Sequence, residues 1–175
     1  MKNAVAHTLV ATVEDRPGAL NRVVSLFRRR GFNIASLTVG TTERPGVSRI
    51  TLVVQEDEDT ARRVQANLEK LVDVLHVQDL TGAPAVAREL ALVKAWAPPE
   101  KRGEVLRLCE VFRARVVDVS AATVTAEITG APEKVDALVE VLRPFGIAEM
   151  VRTGLLAMGR GAEVHEIKEP AGMAA

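Results

Sequence analysis

One order of elements runs along the chain twice, and it leaves few ways to fold. Across residues 5–13, Leu9, Ala11 and Val13 alternate with Thr8, Val10 and Thr12, the period of a strand. Leu20, Val23, Val24 and Phe27 then recur at helical spacing and give one apolar face. Pro17 suits the first turn of that helix, where its missing N–H costs little, and Gly31 suits a left-handed C-terminal cap. Residues 34–42 and 47–55 flank Glu43-Arg44-Pro45-Gly46 and predict a hairpin. The acidic run Glu56-Asp57-Glu58-Asp59 favours a helix start, Ala61, Val64, Leu68 and Leu71 form its apolar face, and residues 72–78 supply a fourth strand.

The same order then returns. Residues 90–97 read as a strand broken by Pro98-Pro99, and Val105, Leu108, Cys109 and Phe112 make a helical stripe. Residues 115–119 and 123–129 predict a hairpin, Val135, Leu138, Val139 and Leu142 a second stripe, and residues 147–158 a strand. The fold class is therefore α+β: two consecutive ferredoxin-like βαββαβ sandwiches, each an antiparallel sheet with helices on one face. The expected divisions are a first domain at 4–79, a linker at 80–89, a second domain at 90–161 and a flexible tail at 162–175. Within the linker, residues 86–89 also allow a short helical turn. The open face of each sheet needs a partner.

Composition narrows the function. Aromatic residues are 3 % of the chain and Tyr is absent, so the core is built of small aliphatic side chains that suit thin helix-on-sheet layers. Lys and Arg together number 23, as do Asp and Glu, and the formal net charge is zero. A nucleic-acid surface needs a basic excess, with aromatic platforms for single strands, and neither is present. Near-neutrality also weakens repulsion between copies of the chain. No secretory leader pattern and no apolar run of about 18 residues occur, so the expectation is a cytoplasmic protein that does not enter membranes.

Catalytic groups do not assemble in the sequence. Cys109 is the single cysteine, so no intrachain disulfide forms, and its place on an apolar stripe reads as a buried structural thiol. His7, His76 and His165 are scattered, without the near neighbours that metal ligands require. Neither a Walker loop nor G-x-G-x-x-G occurs. Arg28-Arg29-Arg30 and Thr60-Ala61-Arg62-Arg63 read as solvated helix faces, as does the acidic run at 56–59. The chain is read as no enzyme by itself, with no cofactor and no metal of its own. An active site completed by another chain stays open.

Asp15-Arg16-Pro17-Gly18 joins the first strand to the first helix. Amides at a helix start lack internal partners and suit a carboxylate, Gly18 lets a ligand approach the backbone, and Asp15 can accept from an ammonium group. Together they suit an α-amino acid. The same residues also fit a plain helix start, with Asp15 as cap and Gly18 relieving crowding. Asn33, just after Gly31, is a second polar candidate or a residue that holds its turn.

The string from Val13 through Glu-Asp-Arg-Pro-Gly-Ala-Leu-Asn-Arg-Val to Val24, followed by Arg30-Gly-Phe-Asn-Ile-Ala-Ser-Leu-Thr-Val39, resembles the ACT domain family. The likeness is nearest to the small regulatory subunits of acetolactate synthase (acetohydroxyacid synthase). It extends through Lys70-Leu-Val-Asp-Val74, Arg88-Glu-Leu-Ala-Leu-Val-Lys94, Phe112-Arg113, Val117-Asp118-Val119, Arg152-Thr-Gly154 and Met158-Gly-Arg-Gly161, and so over residues 4–161. A generic ACT domain would account for the first half alone.

The resemblance implies a chain that activates a large catalytic subunit and confers feedback inhibition by a branched-chain amino acid, usually valine, in valine, leucine and isoleucine biosynthesis. That large subunit would carry thiamine diphosphate, Mg and FAD. It also implies a homodimer through paired ACT domains with effector sites at their interface. Carried over residue by residue, the effector-binding positions are Asp15, Gly18, Ala19 and Leu20 from one protomer and Asn33 and Ile34 from its partner. Gly18 would admit the ligand, amides near Ala19 and Leu20 would take its carboxylate, and Ile34 would touch its aliphatic side chain. Some members have Asn where this chain has Asp15. The nearest alternative is an ACT-type sensor of a different metabolic enzyme. A transcription regulator would need a helix-turn-helix, and an independent enzyme would need an acid, base or nucleophile set, none of which the sequence supplies.

Overall fold

Residues 4–162 are described by the structure, a computed structural model. Strand β1 (Val5–Glu14) leads through a turn into α1 (Ala19–Arg30), then β2 (Ser36–Thr41), β3 (Val47–Glu56), α2 (Glu58–Leu68) and β4 (Val74–Asp79). The first sheet has the order β2-β3-β1-β4 and every pairing in it is antiparallel. Leu9, Ala11 and Val13 of β1 join Ile50, Leu52 and Val54 of β3 in a core closed by Val23, Leu26 and Phe27 of α1 and Val64 and Leu68 of α2. The strand period and the helical stripe therefore meet in one layer, as their spacing predicts.

The local signals were mostly used as expected. Gly31 caps α1 at φ +70°, with its N–H donating toward Arg28 and Phe27 carbonyls. Asp57 caps α2, its carboxylate accepting from the Thr60 N–H at 2.9 Å. The Pro45-Gly46 turn has Gly46 at φ +74°. One placement differs: α1 begins at Ala19, so Pro17 lies before the helix.

The second half runs β5 (Ala85–Trp96), α3 (Pro99–Val111), β6 (Arg115–Val119), β7 (Thr123–Gly130), α4 (Pro132–Leu142), β8 (Ile147–Arg152) and β9 (Leu156–Gly159). Its sheet has the order β6-β7-β5-β8. Ala91, Val93 and Ala95 pack with Val124, Ala126 and Ile128 under Val105 and Cys109 of α3 and Val135, Leu138 and Leu142 of α4. Because β5 starts at Ala85, residues 85–89, expected in a linker, are strand. The single strand expected at 147–158 is two, parted by Thr153-Gly154-Leu155 with Gly154 at φ +82°.

Contacts divide the chain into two units, and the division is not simply first half and second half. The first holds residues up to 86 together with those from 155 onward, and the second holds 87–154. Within the first unit, the returning segment crosses the sheet face opposite the helices. The Leu155 N–H donates to Ser36 Oγ of β2 at 3.1 Å, and the Arg49 guanidinium of β3 donates to the Ala157 carbonyl at 2.8 Å. Gly159 lies beside the Gln78 side chain of β4. Val10, Thr12 and Thr51, which alternation turns away from the helices, are accordingly buried. This chain supplies its own cover for a face that the sequence left in need of a partner. The tail expected at 162–175 lies, from residue 163 on, outside the described residues, as does His165.

Candidate functional site

Strand β1 and helix α1 meet at a turn whose sequence dictates its shape. Ala19 N–H donates to the Arg16 carbonyl at 3.2 Å, closing Arg16-Pro17-Gly18-Ala19. Gly18 takes φ +89° and ψ −10°, the third position of a type II turn, where Pro precedes and Gly follows by preference. This is why Pro17 is outside the helix: its fixed φ is used in the turn. Gly18 becomes the N-cap residue, and among the described residues no side chain caps α1. The reading of Asp15 as helix cap is thereby overturned. Asp15 is exposed, and its N–H donates to the Gly46 carbonyl at 2.8 Å.

The helix start leaves amides available. Arg22 N–H closes the first helical bond on the Gly18 carbonyl at 2.9 Å, and Ala19 N–H is occupied in the turn. The N–H groups of Leu20 and Asn21 have no acceptor among the described residues. They carry the partial positive charge of a helix N-terminus. Of the two amides expected at this point, the one of Leu20 is open and the one of Ala19 is not. Ala19 is itself buried, while Leu20 is exposed.

Beside the turn stands a charged cluster that sequence reading missed. Asp73, only 1 % exposed, accepts through its carboxylate from the guanidinium groups of both Arg16 and Arg22. Arg16 also pairs with Glu14 at 3.0 Å, and the Glu14 N–H donates to the Asp73 carbonyl at 2.8 Å. Arg22 holds the Asp73 carboxyl below the usual carboxylate range, with Arg16 helping and burial opposing. The same bond pushes the Arg22 guanidinium up. Arg22 also lies over Gly18: a Cβ built there would stand 3.6 Å from its Nη1. The available signal was a lone acid between Val72 and Val74 in an otherwise apolar run.

Asn33 and Ile34 follow Gly31, at the far end of α1 from Gly18. Twelve helical residues rise about 18 Å, so one chain does not bring these two residues to its own turn. Asn33 is exposed, and Ile34 is half-buried against the core of the first unit. They lie just before β2, an edge strand with no further strand beyond it among the described residues.

Elsewhere, Cys109 is buried, and burial pushes its thiol up, away from reactivity. Among the described residues, no three His, Cys, Asp or Glu side chains gather as a metal site requires. No helix among them is long and apolar enough to cross a membrane.

Comparison with known proteins finds the same chain plan elsewhere. Residues 9–76 match the family described as the AHAS small subunit-like ACT domain, and residues 88–161 match the small subunit of acetolactate synthase. The acetolactate synthase small subunit of Bacillus subtilis is 46 % identical over 156 residues, covering 89 % of this chain and 91 % of that protein. The one from Mycolicibacterium smegmatis is 46 % identical over 155 residues, covering 89 % and 91 %. The crystal structure of the acetolactate synthase small subunit from Thermotoga maritima superposes with a TM-score of 0.82 at 38 % identity, covering 91 % of this chain and 99 % of that one.

Proposed function

This chain belongs to the family of acetolactate synthase small subunits, which are non-catalytic and regulatory, and from that membership we propose what it regulates and how. It docks on the large catalytic subunit, raises acetolactate formation, and makes the enzyme subject to feedback inhibition by a branched-chain amino acid, with valine the first candidate. Thiamine diphosphate, Mg and FAD belong to the catalytic partner. The observation that carries this reading is the match of both parts of the chain, 9–76 and 88–161, to the same kind of subunit. A free-standing amino-acid sensor would give the second part nothing to do.

The effector half-site is the turn at the start of α1. Asp15 takes the ammonium group, Gly18 leaves room above the backbone, and the open helix-start amides of Leu20 and Asn21, beside Ala19, take the carboxylate. Asn33 and Ile34 come from a second copy, Ile34 touching the aliphatic side chain. Two features support this assignment: α1 holds 33 and 34 away from the turn of their own chain, and β2 next to them is an edge strand with no further strand beyond it among the described residues. With the helices on one face and residues 155–159 on the other, an edge is the part of the first sheet left for pairing. An effector that binds one arrangement of the pair better than another shifts its population, and the catalytic partner senses the shift.

The test is reconstitution. Acetolactate formation is measured with the large subunit alone, with this chain added, and with valine, leucine or isoleucine added to both. Stimulation by the chain and inhibition by one of the three are expected. An unchanged rate on adding the chain overturns the regulatory assignment to that partner.

A further inference from the structure

We propose that Asp73 is a positioning residue for the effector half-site, acting through Arg16 and Arg22; this rests on the effector reading of the turn. Arg16 opens the type II turn and Arg22 stands in the first turn of α1, so the two bracket Pro17, Gly18, Ala19, Leu20 and Asn21. Both guanidinium groups converge on one carboxylate, and that carboxylate is buried just before β4. The segment carrying the open Leu20 and Asn21 amides is thus tied at both ends to the residue that leads into the edge strand β4.

Surface ion pairs contribute little, but this acceptor is out of solvent while its donors are half-exposed. The cluster is also tied through the main chain, by the Glu14 N–H on the Asp73 carbonyl. A charge left without these donors would be costly at this depth, so the two arginines are held where the carboxylate is. Arg22 is thereby kept over Gly18 with its Nη groups toward the turn. The amides need no rearrangement to receive an anion, and such preorganisation appears directly as affinity.

The experiment is calorimetric titration of the full-length chain and of D73N with valine, leucine and isoleucine, at a temperature where circular dichroism shows both folded. Expected is a dissociation constant raised tenfold or more in D73N, with the number of sites per chain unchanged. A merely structural role gives the opposite split: fewer competent sites at the original affinity. That split, or an unchanged constant, overturns the inference. Should D73N not fold, R22Q serves, since its altered side chain is half-exposed and Arg16 remains on Asp73. It too is expected to bind tenfold more weakly, and unchanged binding overturns the proposal. No heat from the unmodified chain with any of the three amino acids overturns the effector reading itself, and this inference with it.

Discussion

Gly18 offers a substitution whose cost can be separated into its parts. Adding a Cβ there meets nothing nearer than Arg22 Nη1 at 3.6 Å, an ordinary van der Waals contact with the end of a flexible side chain. The steric part of Gly18→Ala is therefore close to zero. What remains is the backbone, because φ +89° is a conformation that a side chain disfavours. That penalty is about 1–2 kcal/mol. With a urea m-value of about 2 kcal/mol/M, the unfolding midpoint of the first unit falls by roughly 0.5–1 M. Gly103→Ala supplies the control, since Gly103 sits in α3 with open space around its Cβ position. Removing a helix-interior glycine stabilises by about 1 kcal/mol, so that midpoint rises. Trp96, the single tryptophan, belongs to the second unit, so its fluorescence follows that unit while circular dichroism follows both. Midpoints that move the same way in both variants would refute the argument, as would a Gly18→Ala midpoint equal to that of the unmodified chain.

Other expectations follow from the same geometry. Gly18→Asp adds a carboxylate to the strained backbone beside the helix-start amides. It should abolish inhibition by the effector while stimulation of the large subunit persists, and undiminished inhibition in the acetolactate assay counts against the assigned turn. Asp73 is held below its unfolded pKa of about 3.9, so its charged form stabilises the folded state above that pH. The contribution is lost as pH falls through the lower folded value; in urea melts between pH 7 and 3, D73N should lose less stability below about pH 4 than the unmodified chain. A similar loss in both would deny the depressed pKa. Cys109 is buried with its thiol pushed up, so a thiol reagent at neutral pH should label it only on unfolding. Rapid labelling of the native chain would show the helix layer opening there.

Much of the fold was legible because its determinants are local. The Gly31 cap, the Pro45-Gly46 turn and the Asp57 helix start are each written within a few residues, and each is used as it reads. Pro17 was misplaced because proline's fixed φ fits a helix start and a type II turn alike, and Gly18 decides between them. The Asp73 cluster joins residues 51 and 57 positions apart, so no window of sequence contains both partners. The return of 155–159 to the first unit was illegible for the same reason, since a strand's period does not name the surface it will meet. The turn itself was visible as a candidate; which amides it leaves open was not, because that depends on where α1 begins.

The return of residues 155–159 has a consequence for synthesis. A ribosome releases the first sheet early, with Val10, Thr12 and Thr51 facing water, and then makes all of residues 87–154 before their cover exists. At about 5–20 residues per second, that interval lasts roughly 3–14 s. During it the nascent sheet presents that face uncovered to any other unfinished chain nearby. The half of the protein that is translated first is therefore completed last.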